Sequence, residues 1–219
     1  MHQKIHTVLF DLDGTLLDTA PDLANALNAV LRLNKQPVLP FEQIRPVVSH
    51  GGQALIELGF KIDPDHPEFA ALKKQLLNYY QSHIAEQTTL FPGMGEVLDS
   101  IEQQGINWGV VTNKPAWLTE PLMDALDLTR RASTIVSGDT LDKRKPHPAQ
   151  LLYACKIVGS NPDTGLYIGD AERDIEAGHN AGMSTLVAMF GYLLTEDEPE
   201  TWGATALIKH PSDILNWIG

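Results

Sequence analysis

Residues 8–16 read Val-Leu-Phe-Asp-Leu-Asp-Gly-Thr-Leu, and the interpretation of the whole chain depends on this stretch. Its three leading apolar residues predict a buried strand that runs directly into Asp11 and Asp13. Carboxylates at the end of a buried strand are costly unless an opposite charge compensates them. In an open α/β sheet, ligands bind in the crevice beyond the carboxyl ends of the strands. The stretch therefore predicts a cation held by carboxylates at the tip of a strand.

The composition restricts the class of protein. The chain has 219 residues, which is enough for one domain with a large insertion or for two small domains. It carries 28 acidic against 16 basic residues, a net charge of −12, which disfavours nucleic acid or an anionic membrane as a partner. The single cysteine, Cys155, excludes an intramolecular disulfide and is predicted to be a buried structural thiol. We recognise neither a signal peptide nor a membrane span, and expect a cytoplasmic protein.

The region after the first strand reads as helices without a clear strand. Thr19 is predicted to cap a helix, with Asp22 three residues later, and an apolar stripe follows from Leu23 to Leu31. A second amphipathic helix is predicted from Phe69 to Ile84, because apolar residues recur there every three or four positions. This block is most simply an inserted, all-helical domain.

From Phe91 onward, strands alternate with helices, which predicts a parallel sheet with right-handed crossovers. The predicted strands are Trp108–Thr112, Thr134–Val136, Leu166–Ile168, Thr185–Ala188 and Ala206–Ile208, and the predicted helices are Met94–Gln104, Pro115–Leu128, Pro146–Val158, Ile175–Ala181 and Ser212–Trp217. We therefore expect an α/β protein with a Rossmann-like parallel-sheet core, residues 1–17 and 88–219, and an inserted helical domain, residues 18–87.

Polar residues follow four of the predicted strands. They are Asp11 and Asp13 after the first, Thr112 and Asn113 after the second, Lys145 in the loop after the third, and Asp170 with Asp174 after the fourth. A parallel sheet brings these tips to one edge. Such a set suits displacement at phosphorus, because a divalent cation removes the repulsion between a phosphate ester and an attacking carboxylate. One carboxylate can attack while the other handles protons, and a lysine can hold phosphate oxygens.

The same residues resemble the four motifs of the haloacid dehalogenase superfamily. The motifs are Asp11-Leu12-Asp13-Gly14-Thr15-Leu16, Thr112 in Val110-Val111-Thr112-Asn113, Lys145 in Lys145-Pro146-His147-Pro148, and Gly169-Asp170-Ala171-Glu172-Arg173-Asp174. They occur in the order of the family, and the resemblance covers essentially the whole chain. It implies the family's core fold, with residues 18–87 as a helical cap of the C1 type that selects the substrate.

The resemblance implies a role for each matching residue. Asp11 would be the phosphorylated nucleophile and a Mg²⁺ ligand, and Asp13 the general acid and base, with its backbone carbonyl on the metal. Asp170 would be a direct metal ligand, with Asp174 supporting the metal site. The transferring phosphoryl group would be bound by Thr112 and Lys145, with Asn113 and Gly14 as further candidates. Because Asp13 is present, the resemblance implies a phosphatase with Mg²⁺ as cofactor, rather than a dehalogenase.

Within the superfamily the chain resembles the phosphoglycolate phosphatase group. It is more narrowly similar to the bacterial phosphatases that act on N-acetylmuramic acid 6-phosphate in cell-wall recycling. The segment Ile44–Gly52 lacks the Val-Gly-x-Gly form common in glycolate-type caps, which counts against phosphoglycolate. In this segment, Arg45, Ser49 and His50 are candidates for contacting the non-phosphate part of the substrate. Lys114, which precedes Pro115, is either an exposed lysine or a further site residue.

Several alternatives stay open at this stage. A phosphosugar mutase of the same superfamily needs a cap that retains a bisphosphate, and a non-enzymatic binding protein could use the same fold. A signalling receiver module also surrounds an aspartate with acids, a Thr and a Lys, but here about 70 residues separate the first strand from the next. The expected partner is a small phosphate ester, and the expected assembly is a monomer or a homodimer.

Overall fold

The structure, a computed structural model, describes residues 4–218. The predicted core extends to residues 1 and 219, so residues 1–3 and residue 219 of that prediction lie outside the described part of the chain. Among the described residues, no helix is both long and apolar enough to cross a membrane.

Most strands of the described chain form one parallel sheet. In chain order the strands are β1 (Thr7–Phe10), β2 (Leu17–Asp18), β3 (Thr89–Leu90), β4 (Asn107–Val111), β5 (Thr134–Val136), β6 (Gly165–Gly169), β7 (Ser184–Ala188) and β8 (Ala206–Ile208). The sheet has the strand order β5-β4-β1-β6-β7-β8, and every neighbouring pair is parallel. The sequence predicts all six of these strands, and the predicted α/β parallel-sheet fold is confirmed.

Strand β1 lies at the centre of the sheet, between β4 and β6. Its residues Val8, Leu9 and Phe10 have no exposed surface, which explains why it reads as a continuous apolar run rather than an alternating one. The strand order reverses direction beside β1, and such a switch point opens the crevice in which α/β proteins bind ligands. The fold therefore sets Asp11, the residue after β1, at the position best suited to a site.

Helices occupy the chain between β2 and β3. They are α1 (Ala20–Leu33), α2 (Phe41–Ile44), a 3₁₀ helix (Arg45–His50), α3 (Gly51–Phe60) and α4 (Phe69–Ser82). The predicted stripe of α1 is buried, and α1 packs against α4. On α4 the predicted residues Phe69, Leu72, Leu76 and Tyr80 are buried, but the helix ends at Ser82 and does not reach Ile84. We call residues 20–82 the helical segment.

The two connections between the helical segment and the sheet run side by side. Leu17 pairs with Leu90 and Asp18 with Thr89, in the short antiparallel ladder of β2 and β3. Both connections thus leave the sheet region at one place. The division of the chain into domains at residues 17/18 and 87/88 stays a prediction.

Thr19 is the N-cap residue of α1, as predicted, but its side chain makes no capping hydrogen bond. Its Oγ1 instead donates to Asp13 Oδ1 at 2.7 Å, because a carboxylate is a stronger partner than a backbone amide. Asp22 accepts hydrogen bonds from the N–H groups of Gln87 and Thr88 and from the Thr88 hydroxyl. These two residues therefore join α1 to its surroundings rather than closing its own first turn.

The remaining helices flank the sheet. They are α5 (Met94–Gln103), α6 (Ala116–Ala125), α7 (Ala149–Val158), α8 (Glu172–Ala181) and α9 (Leu215–Ile218), the last preceded by a 3₁₀ turn, Pro211–Ile214. Helix α7 begins three residues later than predicted, because the loop before it is bound to the end of β4. There Asn113 Oδ1 accepts from Lys145 N, and Asn113 Nδ2 donates to Lys145 O, each at 3.1 Å. On α7, Cys155 is buried, as predicted.

Candidate active site

Asp11 and Lys145 form a buried ion pair at the carboxyl edge of the sheet. Lys145 Nζ lies 2.9 Å from Asp11 Oδ1 and 2.7 Å from Asp174 Oδ1. The lysine side chain is fully buried, and burial alone would lower its pKa. The charges of Asp11 and Asp174 outweigh burial and raise the pKa of Lys145. Lys145 therefore stays charged, and it compensates part of the negative charge at this edge.

Tyr167 forms a hydrogen bond with the ammonium group of Lys145. Lys145 Nζ donates to Tyr167 OH at 2.8 Å, and Tyr167 OH in turn donates to the backbone carbonyl of Val111 at 3.0 Å. Burial and then the charge of Asp174 raise the pKa of Tyr167 well above its ordinary value, so the phenol stays neutral. Tyr167 is not identifiable as a site residue from the sequence, because an aromatic residue inside a strand is typical of core packing.

Three buried carboxylates form a group that fits a cation. Asp11, Asp170 and Asp174 each present an oxygen within 4.8 Å of the others. Asp170 Oδ1 is buried without a hydrogen-bond partner among the described residues. Burial, followed by the charges of Asp11 and Asp174, raises the pKa of Asp170 to about 7. An oxygen-only donor set with an unpartnered buried oxygen and excess negative charge is what a hard divalent cation requires.

The carboxylate of Asp13 is not a member of this group and turns to a different partner. Lys114 Nζ lies 2.7 Å from Asp13 Oδ1, the same oxygen that accepts from Thr19. Lys114 Nζ also lies 4.6 Å from the centre of the Tyr80 ring on α4. Burial opposes the charge of Lys114, but Asp13 and Tyr80 raise the pKa of this lysine. Lys114 is therefore a site residue and not an exposed lysine.

Thr112 and Asn113 follow β4 and line the same space as the two aspartates. Thr112 Oγ1 accepts from the N–H of Lys114 at 3.2 Å, which fixes the turn after the strand. Both polar atoms of the Asn113 side chain are engaged with Lys145, as described for the start of α7. Asn113 thus positions the loop that carries Lys145. Phosphate binding by Thr112 and Asn113 stays a prediction.

Gly14 is required by close packing. Its φ of +84° is a conformation that favours glycine, and a Cβ there would overlap the Asp170 carboxylate. Its N–H donates to Leu17 O at 3.0 Å, so donation to a phosphate would need that bond to be shared. Gly14 therefore brings the backbone against Asp170, and its predicted contact with phosphate stays a prediction.

The three candidates from the helical segment differ in where they lie. Arg45 donates to the backbone carbonyls of Phe190 and Gly191, at 2.9 and 3.0 Å, and lies over the ring of Tyr192. Ser49 Oγ donates to Asp170 Oδ2 at 2.6 Å. His50 lines the cavity described below, and burial followed by the charge of Arg173 lowers its pKa.

Arg173 and Tyr192, which the sequence does not mark as site residues, also make contacts at the edge of the sheet. Arg173 donates to the backbone carbonyl of Ser49 at 2.6 Å, linking α8 to the helical segment. The N–H of Tyr192 donates to Asp170 Oδ2 at 2.8 Å, and its hydroxyl donates to Asp18 at 2.7 Å. Arg173 lies within the fourth motif, but no spacing rule in the sequence indicates the contacts that either residue makes.

A cavity of about 450 Å³ opens over Asp11 and Asp13, between the sheet edge and the helical segment. Its lining from the sheet side includes Thr112, Asn113, Lys114, Pro115, Leu118, Arg144 and Arg173, and its lining from the helical segment includes Leu23, Val48, Ser49, His50, Gly51, Gly52, Gln53, Lys73, Leu77 and Tyr80. Arg45 and Gly14 do not line it. The volume lies within the range of small-molecule sites.

Comparisons with known proteins agree with this geometry. Residues 8–188 match the family of haloacid dehalogenase-like hydrolases. A relative from Pseudomonas putida, named N-acetylmuramic acid 6-phosphate phosphatase, is 40% identical, and the match covers 98% of this chain and 96% of the relative. A relative from Xanthomonas campestris pv. campestris, named phosphoglycolate phosphatase, is 41% identical over 94% of this chain and 93% of its own length.

Solved structures show the same fold. The crystal structure of a "predicted phosphoglycolate phosphatase" from Haemophilus somnus has a TM-score of 0.86 and 28% identity, with 98% of both chains covered. The prediction of a haloacid dehalogenase-type phosphatase is confirmed by the family match and by these relatives. The chain belongs to the family of haloacid dehalogenase-like hydrolases.

Proposed function

We propose that this hydrolase cleaves phosphate monoesters through an aspartyl-phosphate intermediate, and that its substrate is N-acetylmuramic acid 6-phosphate. The observation that carries the proposal is the buried ion pair between Lys145 and Asp11, of which Asp11 lines the cavity. The hydrogen bond from Leu12 N–H and the ion pair with Lys145 both fall on Asp11 Oδ1. The other oxygen has no such partner among the described residues and is free to act as a nucleophile.

The reaction follows from the positions of the two aspartates. Asp11 Oδ2 attacks phosphorus while the bond to the ester oxygen breaks, and protonated Asp13 gives its proton to the leaving alcohol. Asp13 then takes a proton from a water molecule that attacks the same phosphorus. This second attack releases inorganic phosphate and restores the Asp11 carboxylate. Lys114 and Thr19 both contact Asp13 Oδ1, so proton transfer is assigned to Oδ2.

Mg²⁺ is the cation proposed for the acidic group. Asp11 and Asp170 would hold it directly, with the backbone carbonyl of Asp13, and Asp174 would support the site. When bound, a divalent cation neutralises phosphate oxygens and the carboxylates around them. Thr112 and Lys145 would hold the oxygens of the transferring group, with Asn113 and Gly14 as further donors. Of these, Lys145 has the best-supported role, because its ammonium group already lies beside Asp11.

The helical segment is proposed to act as the cap of the enzyme, within the predicted boundaries 18–87. Support comes from the cavity, whose lining is shared between this segment and the sheet edge. Ser49 contacts Asp170 and Arg45 contacts the loop at Gly191, so two polar residues join the segment to the edge. Because the cap lies over the reacting centre, its residues would contact the part of the substrate beyond the phosphate.

The proposed substrate is supported by the volume of the cavity and by the names of the relatives. A cavity of about 450 Å³ is larger than a two-carbon acid needs and suits a sugar phosphate. The Pseudomonas putida relative supports the amino-sugar substrate, and the Xanthomonas campestris relative favours 2-phosphoglycolate as the second candidate.

The experiment is a side-by-side measurement of kcat/KM with Mg²⁺ on N-acetylmuramic acid 6-phosphate, 2-phosphoglycolate and common sugar phosphates. We expect the first to be preferred by at least about tenfold, which is about 1.4 kcal/mol in transition-state binding. A preference for 2-phosphoglycolate would transfer the assignment to the second candidate. Phosphorus-31 spectra separate hydrolysis from a mutase reaction, because a mutase would yield an isomerised sugar phosphate instead of inorganic phosphate.

A further inference from the structure

Four cationic side chains of Lys and Arg residues line the cavity. Lys114 is bound to Asp13 and Arg173 to the backbone carbonyl of Ser49, whereas the side chains of Lys73 and Arg144 have no hydrogen-bond or ion-pair partner among residues 4–218. Lys73 is half-buried on α4, and Arg144 is exposed in the loop before Lys145. Within residues 4–218, every lysine or arginine ion pair belongs to Lys114, Arg131 or Lys145. The chain as a whole has a net charge of −12, so two cationic side chains without an ion pair at one opening differ from the mostly acidic character of the chain. They make the mouth of the cavity locally attractive to anions.

The face of α4 sets the distance between Lys73 and the reacting centre. Lys73, Leu77 and Tyr80 recur at i, i+4 and i+7, which is one helix face, and all three line the cavity. Tyr80 contacts Lys114, which holds Asp13, so the Tyr80 end of this face lies beside the catalytic carboxylates. Seven residues of α-helix place Lys73 about 10 Å further along the axis. The intervening length is apolar, since Leu77 occupies it.

Arg144 approaches the same opening from the sheet side. It directly precedes Lys145, whose ammonium group lies 2.9 Å from Asp11 Oδ1. Lys145 is buried and contacts Asp11 without itself lining the cavity, whereas the next residue back, Arg144, is exposed and lines it. The helical segment and the sheet edge thus each contribute one cation above the site of phosphate transfer.

We propose that Lys73 and Arg144 bind a second anionic group of the substrate, a carboxylate that lies about one sugar ring away from the reacting phosphate. The inference rests on the proposed function and deepens it. In N-acetylmuramic acid 6-phosphate, the sugar ring separates the lactyl carboxylate from the phosphate. In 2-phosphoglycolate a single carbon separates the two groups, which is too short for the spacing of Tyr80 and Lys73 along α4. Hydrogen bonds between ionised groups are the strong ones, so such contacts can decide specificity.

The test compares two sugar phosphates that differ in this carboxylate. N-acetylglucosamine 6-phosphate has the same ring, acetamido group and phosphate, but lacks the lactyl ether. We expect Lys73→Met and Arg144→Met each to lower the kcat/KM ratio of the muramic over the glucosamine substrate by about 10-fold to 100-fold. The matched controls are Lys74→Met and Lys143→Met, which remove exposed lysines next to each residue and outside the cavity lining. Both controls should keep the ratio within about twofold.

The outcomes separate this inference from the proposed function. If the wild type releases phosphate but Lys73→Met and Arg144→Met leave the ratio unchanged, the carboxylate site is refuted and the phosphatase assignment stands. If the wild type releases no phosphate from either sugar, the proposed function fails, and calorimetric binding of both sugar phosphates still tests the site. Tighter binding of the muramic compound that is lost in Lys73→Met would support the inference, and equal binding of the two compounds would overturn it.

Discussion

The sheet edge and the helical segment meet at one cavity, but they contribute different kinds of residue. The edge supplies Asp11, Lys145 and Asp170, all buried, ionisable and fixed by contacts to one another or to backbone. The helical segment supplies Ser49, His50 and Lys73, which are partly or fully exposed. A reaction requires groups held within a fraction of an ångström, and strand ends provide that rigidity. Binding the rest of a substrate requires less exact placement, so more exposed side chains on the helical segment can serve it.

The largest effect is expected at the edge itself. Asp11→Asn keeps the size of the side chain and its hydrogen bond from Leu12, but removes the nucleophile. We expect kcat to fall by at least about 10³-fold, with the circular dichroism spectrum unchanged. A residual kcat above a few per cent of the wild type would show that another group attacks phosphorus.

Lys145→Met tests how strongly the stability and activity of the sheet edge depend on the charge of Lys145. It would leave Asp11 and Asp174 buried without the ammonium group that contacts them, which costs about 3–5 kcal/mol of stability when a buried pair is broken. We expect a loss of activity together with a lowered denaturant midpoint, and partial recovery of the midpoint with Mg²⁺. The exposed neighbour Lys143→Met is the control. An unchanged midpoint in Lys145→Met would contradict the account of charge balance.

The same charge balance predicts a dependence on pH. Burial and the charges of Asp11 and Asp174 raise the pKa of Asp170 to about 7, above its ordinary value. The stability that neutral Asp170 contributes is therefore present at low pH and is lost as the pH rises through about 7. In the presence of a chelator, we expect Tm to fall progressively between about pH 4, where an aspartate of the unfolded chain ionises, and about pH 7, and Mg²⁺ to reverse the fall at the higher pH. Asp170→Asn should reduce the fall, and an equal fall in that variant would exclude Asp170 as its source.

The sheet edge was largely predictable from the sequence, and the reason is local. Asp11, Thr112 and Asp170 each follow an apolar run at once, so the strand that carries the residue also fixes its place. Lys145 lies nine residues beyond the end of its strand, so the strand places its loop at the edge but does not fix the position of the ammonium group. The contacts of Lys145 with Tyr167 and of Asp170 with Tyr192 join residues 22 positions apart, and no short pattern encodes them.

The helical segment was predictable in its packing but not in its polar contacts. The spacing of apolar residues on α1 and α4 identifies which face is buried, because helix periodicity and burial are coupled. It does not show that Thr19 turns from its cap position to Asp13, or that Arg45 reaches the carbonyl of Gly191. Those contacts cross between distant parts of the chain. These contacts depend on the position of the helical segment relative to the sheet.

Lys114 links the two regions and should have an intermediate effect. It holds Asp13 Oδ1 and contacts Tyr80 of the helical segment. We expect Lys114→Met to lower kcat for alkyl phosphates by about tenfold, with KM changed less, because a charged hydrogen bond of about 1.5 kcal/mol or more is lost. The loss should be smaller with p-nitrophenyl phosphate, whose leaving group needs no proton. Equal losses on both substrates would argue against a role through Asp13.

Ser49→Ala is expected to have the smallest effect. It removes the hydrogen bond to Asp170 Oδ2, while the N–H of Tyr192 still donates to the same oxygen. We expect kcat/KM to change by less than about fivefold, corresponding to roughly 1 kcal/mol or less. Ser82→Ala, at an exposed serine at the end of α4, is the control. A loss comparable to that of Asp11→Asn would place Ser49 among the reacting groups and would remove the contrast between the two regions.

The central claim is that the residue after β1 carries the phosphoryl group during turnover. The direct measurement is to quench the enzyme with acid during hydrolysis, reduce it with borohydride and map the peptides by mass spectrometry. Reduction converts an aspartyl phosphate to homoserine, so we predict homoserine at position 11 in the wild type and none in Asp11→Asn. Homoserine at another aspartate, or none in a wild-type enzyme quenched during rapid turnover, would contradict the assignment of Asp11 as the nucleophile.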